Sequence, residues 1–163
     1  MKIINGNPFK PLLSIVFVVL AIVTFAQRVE VNEAKIHQEV DEATSNVLDN
    51  LFNAFEALDA DRCIAVSATG EKVLHISNMN IVQVDTISNY THAAFKQIEY
   101  FKAKWNPVDL KVLSPEIALR VAKVSFNVKR KNEPETSTSG IQTFIFKKIG
   151  SEWKIVHDQR VMN

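Results

Sequence analysis

The sequence predicts an α+β domain with helices on one face of an antiparallel sheet. Two observations carry this. From residue 34 to about 102, apart from one short hairpin, apolar residues recur at spacings of three and four, the period of an amphipathic helix. From Trp105 onward they recur at every second position, the period of a strand, with turn residues between runs.

Residues 1–11, MKIINGNPFKP, carry Lys2 and Lys10 and no acid, and residues 12–26, LLSIVFVVLAIVTFA, are unbroken apolar and small side chains. A basic start, an apolar core and small residues at Thr24 and Ala26 describe a secretory signal peptide, with cleavage after Ala26. The alternative is an uncleaved membrane anchor. As a helix this run spans about 22 Å, short of the roughly 30 Å hydrocarbon core, which favours export to the periplasm or exterior. Cleavage removes two lysines and leaves 17 basic and 18 acidic residues, a net charge of −1. Such a chain lacks the clustered Lys and Arg that nucleic acid requires, and it has no membrane contact once the leader is gone. The single cysteine, Cys63, cannot form an internal disulfide, so stability rests on the core. The expected organisation is a signal peptide at 1–26, a short linker at 27–33 and one domain at 34–161.

Residues 34–58 place Ile36, Val40, Val47, Leu48, Leu51, Phe52, Phe55 and Leu58 on one stripe, with Asp41, Glu42 and Asp49 on the other side, predicting a long first helix. Asp59 caps a short helix over 60–68, in which Cys63 faces the core. KVLHIS (72–77) and NIVQV (80–84), joined through Asn78 and Met79 after a stop at Gly70, read as a hairpin. Asp85 or Thr86 then caps a helix over 87–102. Strands follow at 108–114, 117–129, 141–149 and 152–161, separated by Ser114-Pro115-Glu116, the polar loop 131–140 and Gly150-Ser151. In 117–129 one parity is wet, whereas the other reads Ala118, Arg120, Ala122, Val124, Phe126, Val128 and must face the helices. Arg120 is then a single charge on a buried face.

The long helix, the D-A-D-R turn at 59–62, the hairpin, the next helix and the closing GSEWKIVHDQRV (150–161) resemble the nuclear transport factor 2-like superfamily. Within it the pattern is similar to SnoaL-like domains and to the association domain of calcium/calmodulin-dependent kinase. The resemblance covers about residues 34–161, and its most specific part is Trp153 to His157, matching a W-x-I-V-H strand. It implies a curved antiparallel sheet wrapped by the N-terminal helices into a cone (a cystatin-like α+β barrel), a pocket inside it, and a homodimer formed through the sheet. Members include isomerases, cyclases, dehydratases, hydrolases, transport factors and assembly domains, so the fold alone does not select a chemistry.

In the kinase-association branch arginines line the cone, and the resemblance assigns Arg120 and Arg160 to two of those positions. A third would fall near Phe144, and the branch's H-x-H-x-S ending keeps only His157, with Gln159 and Val161 at the other places. Alternation along the last strand puts Val156, Asp158 and Arg160 on one face and Trp153, Ile155, His157 and Gln159 on the other. Arg120, Asp158 and Arg160 are therefore the expected ligand-binding set. Charges in an apolar cone need mutual hydrogen bonds. Their surplus positive charge suits a carboxylate or another small anion. A structural ion network with water around it is the alternative for the same three residues.

Asp158 is the candidate catalytic base. Flanking arginines would depress its pKa and disfavour proton abstraction at neutral pH, while leaving electrostatic stabilisation open. His157 points away from Asp158, towards the surface or a dimer interface, so the two form no relay. His75 in the hairpin either reaches the mouth of the cone or is simply packed or exposed. His37 and His92 fall on polar helix faces, and no two histidines share metal-ligand spacing, so no metal is expected. With four glycines, no Gly-rich phosphate loop and no nucleophile motif, no cofactor is expected. Asn89-Tyr90-Thr91 fits a glycosylation sequon inside a predicted helix.

These features favour an exported, homodimeric domain that binds a small ligand, anions among the candidates, without catalysis. The alternative is a SnoaL- or ketosteroid-isomerase-like enzyme acting on a hydrophobic carbonyl compound, with Asp158 as base. A third reading, an accessory module for a membrane or cell-surface partner, requires an uncleaved N-terminus.

Overall fold

The computed structural model describes the backbone of residues 9–68, 73–77 and 80–163, and the side chains of 31–68, 73–77, 81 and 88–163. The side chains of residues 1–30, which include the expected signal peptide, and the turns expected at Gly70 and Asn78-Met79 lie outside the described residues. The chain forms two compact units, 1–38 and 39–163. The first holds the N-terminal part of helix α1 (Phe9–Glu56). The second holds the rest of α1 and every other element.

In the second unit α1 is followed by α2 (Ala60–Ala65), β1 (Leu74–Ser77), β2 (Asn80–Gln83), α3 (Val84–Phe95), β3 (Ile98–Ser114), β4 (Ile117–Arg130), β5 (Thr136–Ile149) and β6 (Glu152–Met162). The strands form one sheet in the order β2-β1-β6-β5-β4-β3. Every neighbouring pair is antiparallel except β1 and β6, which run parallel. The α+β class and the curved, unclosed sheet agree with the sequence. Irregular pairings in β3 and between β5 and β6 supply local bends.

The stripe of α1 packs as its spacing requires: Val40, Thr44, Leu48, Leu51 and Phe52 are buried. Phe52 stacks on Phe126 of β4 and Phe55 on Phe101 of β3, with ring centroids 5.9 and 5.3 Å apart. Two side chains on the helix's polar flank also reach the sheet. Asp49 Oδ1 accepts from Trp105 Nε1 at 2.9 Å, and Glu56 Oε1 accepts from the backbone N–H of Ala103 at 3.1 Å. The helix stops at Leu58, whose φ of 53° is left-handed, and the Asp59 N–H closes the end on the Ala54 carbonyl. Asp59 caps α2 by accepting from the Arg62 N–H at 3.0 Å. Cys63 is buried, and this burial, aided by Asp59, pushes its thiol up to about 12.

Along β4 the predicted parity holds: Ala118, Arg120, Ala122, Val124 and Phe126 are buried. Boundaries differ from the sequence reading in several places: α1 runs through the linker expected at 27–33, and α2 ends at Ala65 instead of residue 68. The helix expected over 87–102 spans Val84–Phe95, so Asp85 and Thr86 lie inside its first turn instead of capping it. Ile98–Lys102 belongs to β3. The pairing slips between Ile98 and Tyr100, leaving Glu99 as an extra residue. Ile98 and Phe101, three apart, thereby reach the same side of a strand, which on paper is a helical spacing. Finally, β5 starts at Thr136, because the Ser/Thr run pairs with β4 (Val128 opposite Thr136) and shortens the expected loop.

β3 forms one edge of the sheet and contains Pro107, which is tolerated there because an edge strand leaves donors unused. Gly140 on β5 lies against the backbone carbonyl of Val161 on β6, where any Cβ would collide with main chain.

Candidate functional site

One row of inward-facing residues crosses the sheet at the level of Arg120. Register places Arg120 (β4) opposite Phe144 (β5), Phe144 opposite Asp158 (β6), and Asp158 opposite His75 (β1). The next row contains Ala122, Gln142, Arg160 and Ser77.

At the β6 end of the row, Asp158 is buried. Its Oδ1 accepts from Gln142 Nε2 at 3.0 Å, and its Oδ2 pairs with His75 Nδ1. The His75 side chain is 21% exposed, yet its Nε2 is buried without a hydrogen-bond partner. A carboxylate on Nδ1–H fixes the imidazole tautomer and leaves the Nε2 lone pair as an acceptor inside the sheet. Arg160 is half-buried and donates from Nε to Ser77 Oγ at 3.1 Å.

At the β4 end, Arg120 is the largest fully buried side chain, 1% exposed. Its Nη2 donates to the Asp41 carbonyl at 3.0 Å, to Asp41 Oδ1 at 2.5 Å and to Thr44 Oγ1 at 2.9 Å. The guanidinium also lies over the Trp105 ring, 5.6 Å from its centroid. Its Nε is buried without a partner.

The three residues expected to form one cluster therefore occupy three separate hydrogen-bonded groups. Adjacent strands lie about 4.8 Å apart. Because β5 runs between β4 and β6, the fully buried ring of Phe144 stands between Arg120 and Asp158. The charge of Arg120 is balanced by Asp41 of α1, and the partner of Asp158 is an imidazole.

Strand alternation correctly separates His157 from Asp158, since Asp158 is buried and His157 is only half-buried. It misassigns Ile155, which is buried alongside Asp158. The β5–β6 pairing skips Val156 (Ile145 opposite His157, Phe146 opposite Ile155), and this bulge reverses the parity before it.

Sequence reasoning missed Asp41 and Gln142, and it considered His75 for the mouth of the cone without its partner Asp158. Gln142 left a signal, as a mid-strand polar residue sharing the parity of Phe144 and Phe146. The pairing of His75 with Asp158 left none, because it depends on a parallel contact between strands some eighty residues apart. Among the described residues no group of three His, Cys, Asp or Glu side chains could hold a metal ion. Two surface clefts lie elsewhere. One of about 430 Å³ sits between α1, α2 and the start of β6, and another of about 320 Å³ sits beside α3 and the end of β4.

The sequence matches the SnoaL-like domain over residues 45–160. No curated protein matches it significantly. Solved structures that resemble it share its fold at low identity. A candidate scytalone dehydratase from Novosphingobium aromaticivorans is 10% identical, with a TM-score of 0.73 over 80% of this chain and 88% of that one. A nuclear transport factor 2-like superfamily protein from Salmonella enterica is 17% identical, with a TM-score of 0.65 over 78% and 91%. A type 2 hexachlorocyclohexane dehydrochlorinase is 8% identical, with a TM-score of 0.69 over 80% and 89%. The matched segment takes in nearly the whole unit that carries the buried row, and the chain belongs to the SnoaL-like domain family.

Proposed function

We propose that the inner face of the sheet binds a small molecule, with His75, oriented by Asp158, as the central polar contact. The observation that supports this is the buried, unpartnered Nε2 of an imidazole whose Nδ1 is held by a carboxylate. An unsatisfied buried polar atom costs about 1–3 kcal/mol, which a ligand donor such as a hydroxyl would recover. Arg160, one row away on the same face of β6, supplies positive charge, so a hydroxylated anion suits the pair. Arg120 has a structural role in this reading, since its Nη2 is tied to Asp41 and Thr44 of α1 and Trp105 covers its guanidinium. A thermal-shift screen of small hydroxy acids tests it: shifts should disappear in His75→Ala and shrink in Arg160→Ala. Equal shifts in wild type and His75→Ala would rule the reading out.

A second reading is favoured by the same pair. An imidazole oriented by a carboxylate is a general acid/base, and eliminations of the kind named for the dehydratase and dehydrochlorinase neighbours need one. In that case His75, not Asp158, removes the proton, and a hydrophobic carbonyl compound remains the substrate class. Turnover of such compounds that survives His75→Gln would exclude it.

Export with cleavage after Ala26 and dimerisation through the sheet belong to the same proposal. The exposed cross-strand neighbours Ile141 and Val161 support the dimer, being apolar and turned away from the core. Intact mass of the exported protein and light scattering test the two.

A further inference from the structure

The cleft of about 430 Å³ is separate from the buried row and falls within the size range of small-molecule sites. Val47 of α1, Val66 after α2 and Trp153 of β6 form its apolar walls, and Asn50 and Arg62 provide polar groups. The walls are tied together. The Ile155 N–H donates to the Val66 carbonyl and the Ala68 N–H to the Ile155 carbonyl, both at 2.9 Å.

The charges at the cleft are unequal in their freedom. Lys154 is taken up by Glu152 at 2.8 Å and by the Ala65 carbonyl at 2.9 Å. This contact holds the Glu152 carboxyl below its ordinary range. The acids flanking Arg62 are also engaged: Asp59 caps the helix on the Arg62 N–H, and Asp61 pairs with His92 of α3 at 3.3 Å. The Arg62 guanidinium itself makes no ion pair or hydrogen bond among the described residues, which leaves its fork open to a ligand.

We propose that this cleft binds a small planar aromatic carboxylate, its ring against the Trp153 indole and its carboxylate on Arg62. A guanidinium fork takes a carboxylate bidentately, an indole face or edge packs against an aromatic ring, and the Asn50 amide lies within the same lining to bond a ring substituent. A neutral ring forgoes the ion pair, and phosphate forgoes the ring contact.

The test uses the folded protein and follows the indole N–H signals of its two tryptophans by NMR. Benzoate and 2-naphthoate should move the Trp153 signal and leave that of Trp105 in place. Benzyl alcohol and inorganic phosphate should do neither. Arg62→Gln, at an exposed position that leaves the core intact, should weaken binding about tenfold or more. Arg62→Lys, which keeps the charge without the fork, should fall between. His75→Ala should leave the titration unchanged, separating this cleft from the interior site. Absence of a Trp153 shift, binding indifferent to Arg62→Gln, equal binding of benzyl alcohol or phosphate, or loss of binding in His75→Ala would each overturn the proposal.

Discussion

Arg120 and Asp158 sit in the same row of the same sheet, both nearly inaccessible to water, yet they are held in opposite ways. Arg120 is met from outside the sheet: α1 brings a carboxylate, a carbonyl and a hydroxyl to one nitrogen, and Trp105 covers the guanidinium face. Asp158 is met from within the sheet, by Gln142 on one neighbouring strand and His75 on the other. The first arrangement joins two layers of the fold and has structural consequences. Each leaves one buried nitrogen without a partner, Nε in Arg120 and Nε2 in His75, but only the imidazole nitrogen has a lone pair, which is where acid/base chemistry can enter.

This contrast predicts unequal costs of mutation. Arg120→Ala should be the most damaging, at about 3–5 kcal/mol in urea unfolding, since it leaves a cavity and cuts the tie to α1. Arg120→Met, which refills the space without charge, should recover most of that loss. An Ala variant losing less than about 1 kcal/mol would mean the helix is not anchored there. Asp158→Asn should cost about 1–3 kcal/mol and, more tellingly, release the fixed tautomer of His75 in nitrogen NMR spectra. An unchanged tautomer would break the contrast at its functional end.

Gly140→Ala, which tests the sheet on the intervening strand four residues away from that row, should cost about 1–3 kcal/mol because its methyl meets the Val161 carbonyl. Trp105→Phe keeps the ring near Arg120 but removes the exposed bond to Asp49, and should cost about 0.5–1.5 kcal/mol. The smallest effect concerns Cys63. Its folded thiol keeps its proton up to about 12 while the unfolded thiol loses it near 9, so stability should fall as pH rises between those values. Cys63→Ala should flatten that part of the pH profile.

Much of the fold was legible because burial imposes a period. The stripe of α1 and the inner parity of β4 follow directly from which side chains avoid water, and Arg120 was identified as buried on that ground alone. Two places where the period misled share one cause. An extra residue at Glu99 gives Ile98 and Phe101 a common face, and one at Val156 does the same for Ile155 and Asp158. A bulged strand thus imitates the three-residue spacing of a helix or inverts a parity count. The site was less legible than the fold because its partners come from distant segments. Nothing local to His75 points to Asp158, and Asp41 was placed on a polar helix face although its carboxylate reaches inward.

The bond from Glu56 to the Ala103 N–H has a consequence for the molecule among its own copies. A seventeen-residue edge strand is a template on which further chains could add and grow into fibrils. Here one outward donor is already occupied by a helix carboxylate, Pro107 offers none, and three pairing irregularities bend the strand out of line. Weakening that guard, as Glu56→Ala would, should shorten the lag before the protein becomes thioflavin-positive, even if the fold itself loses little.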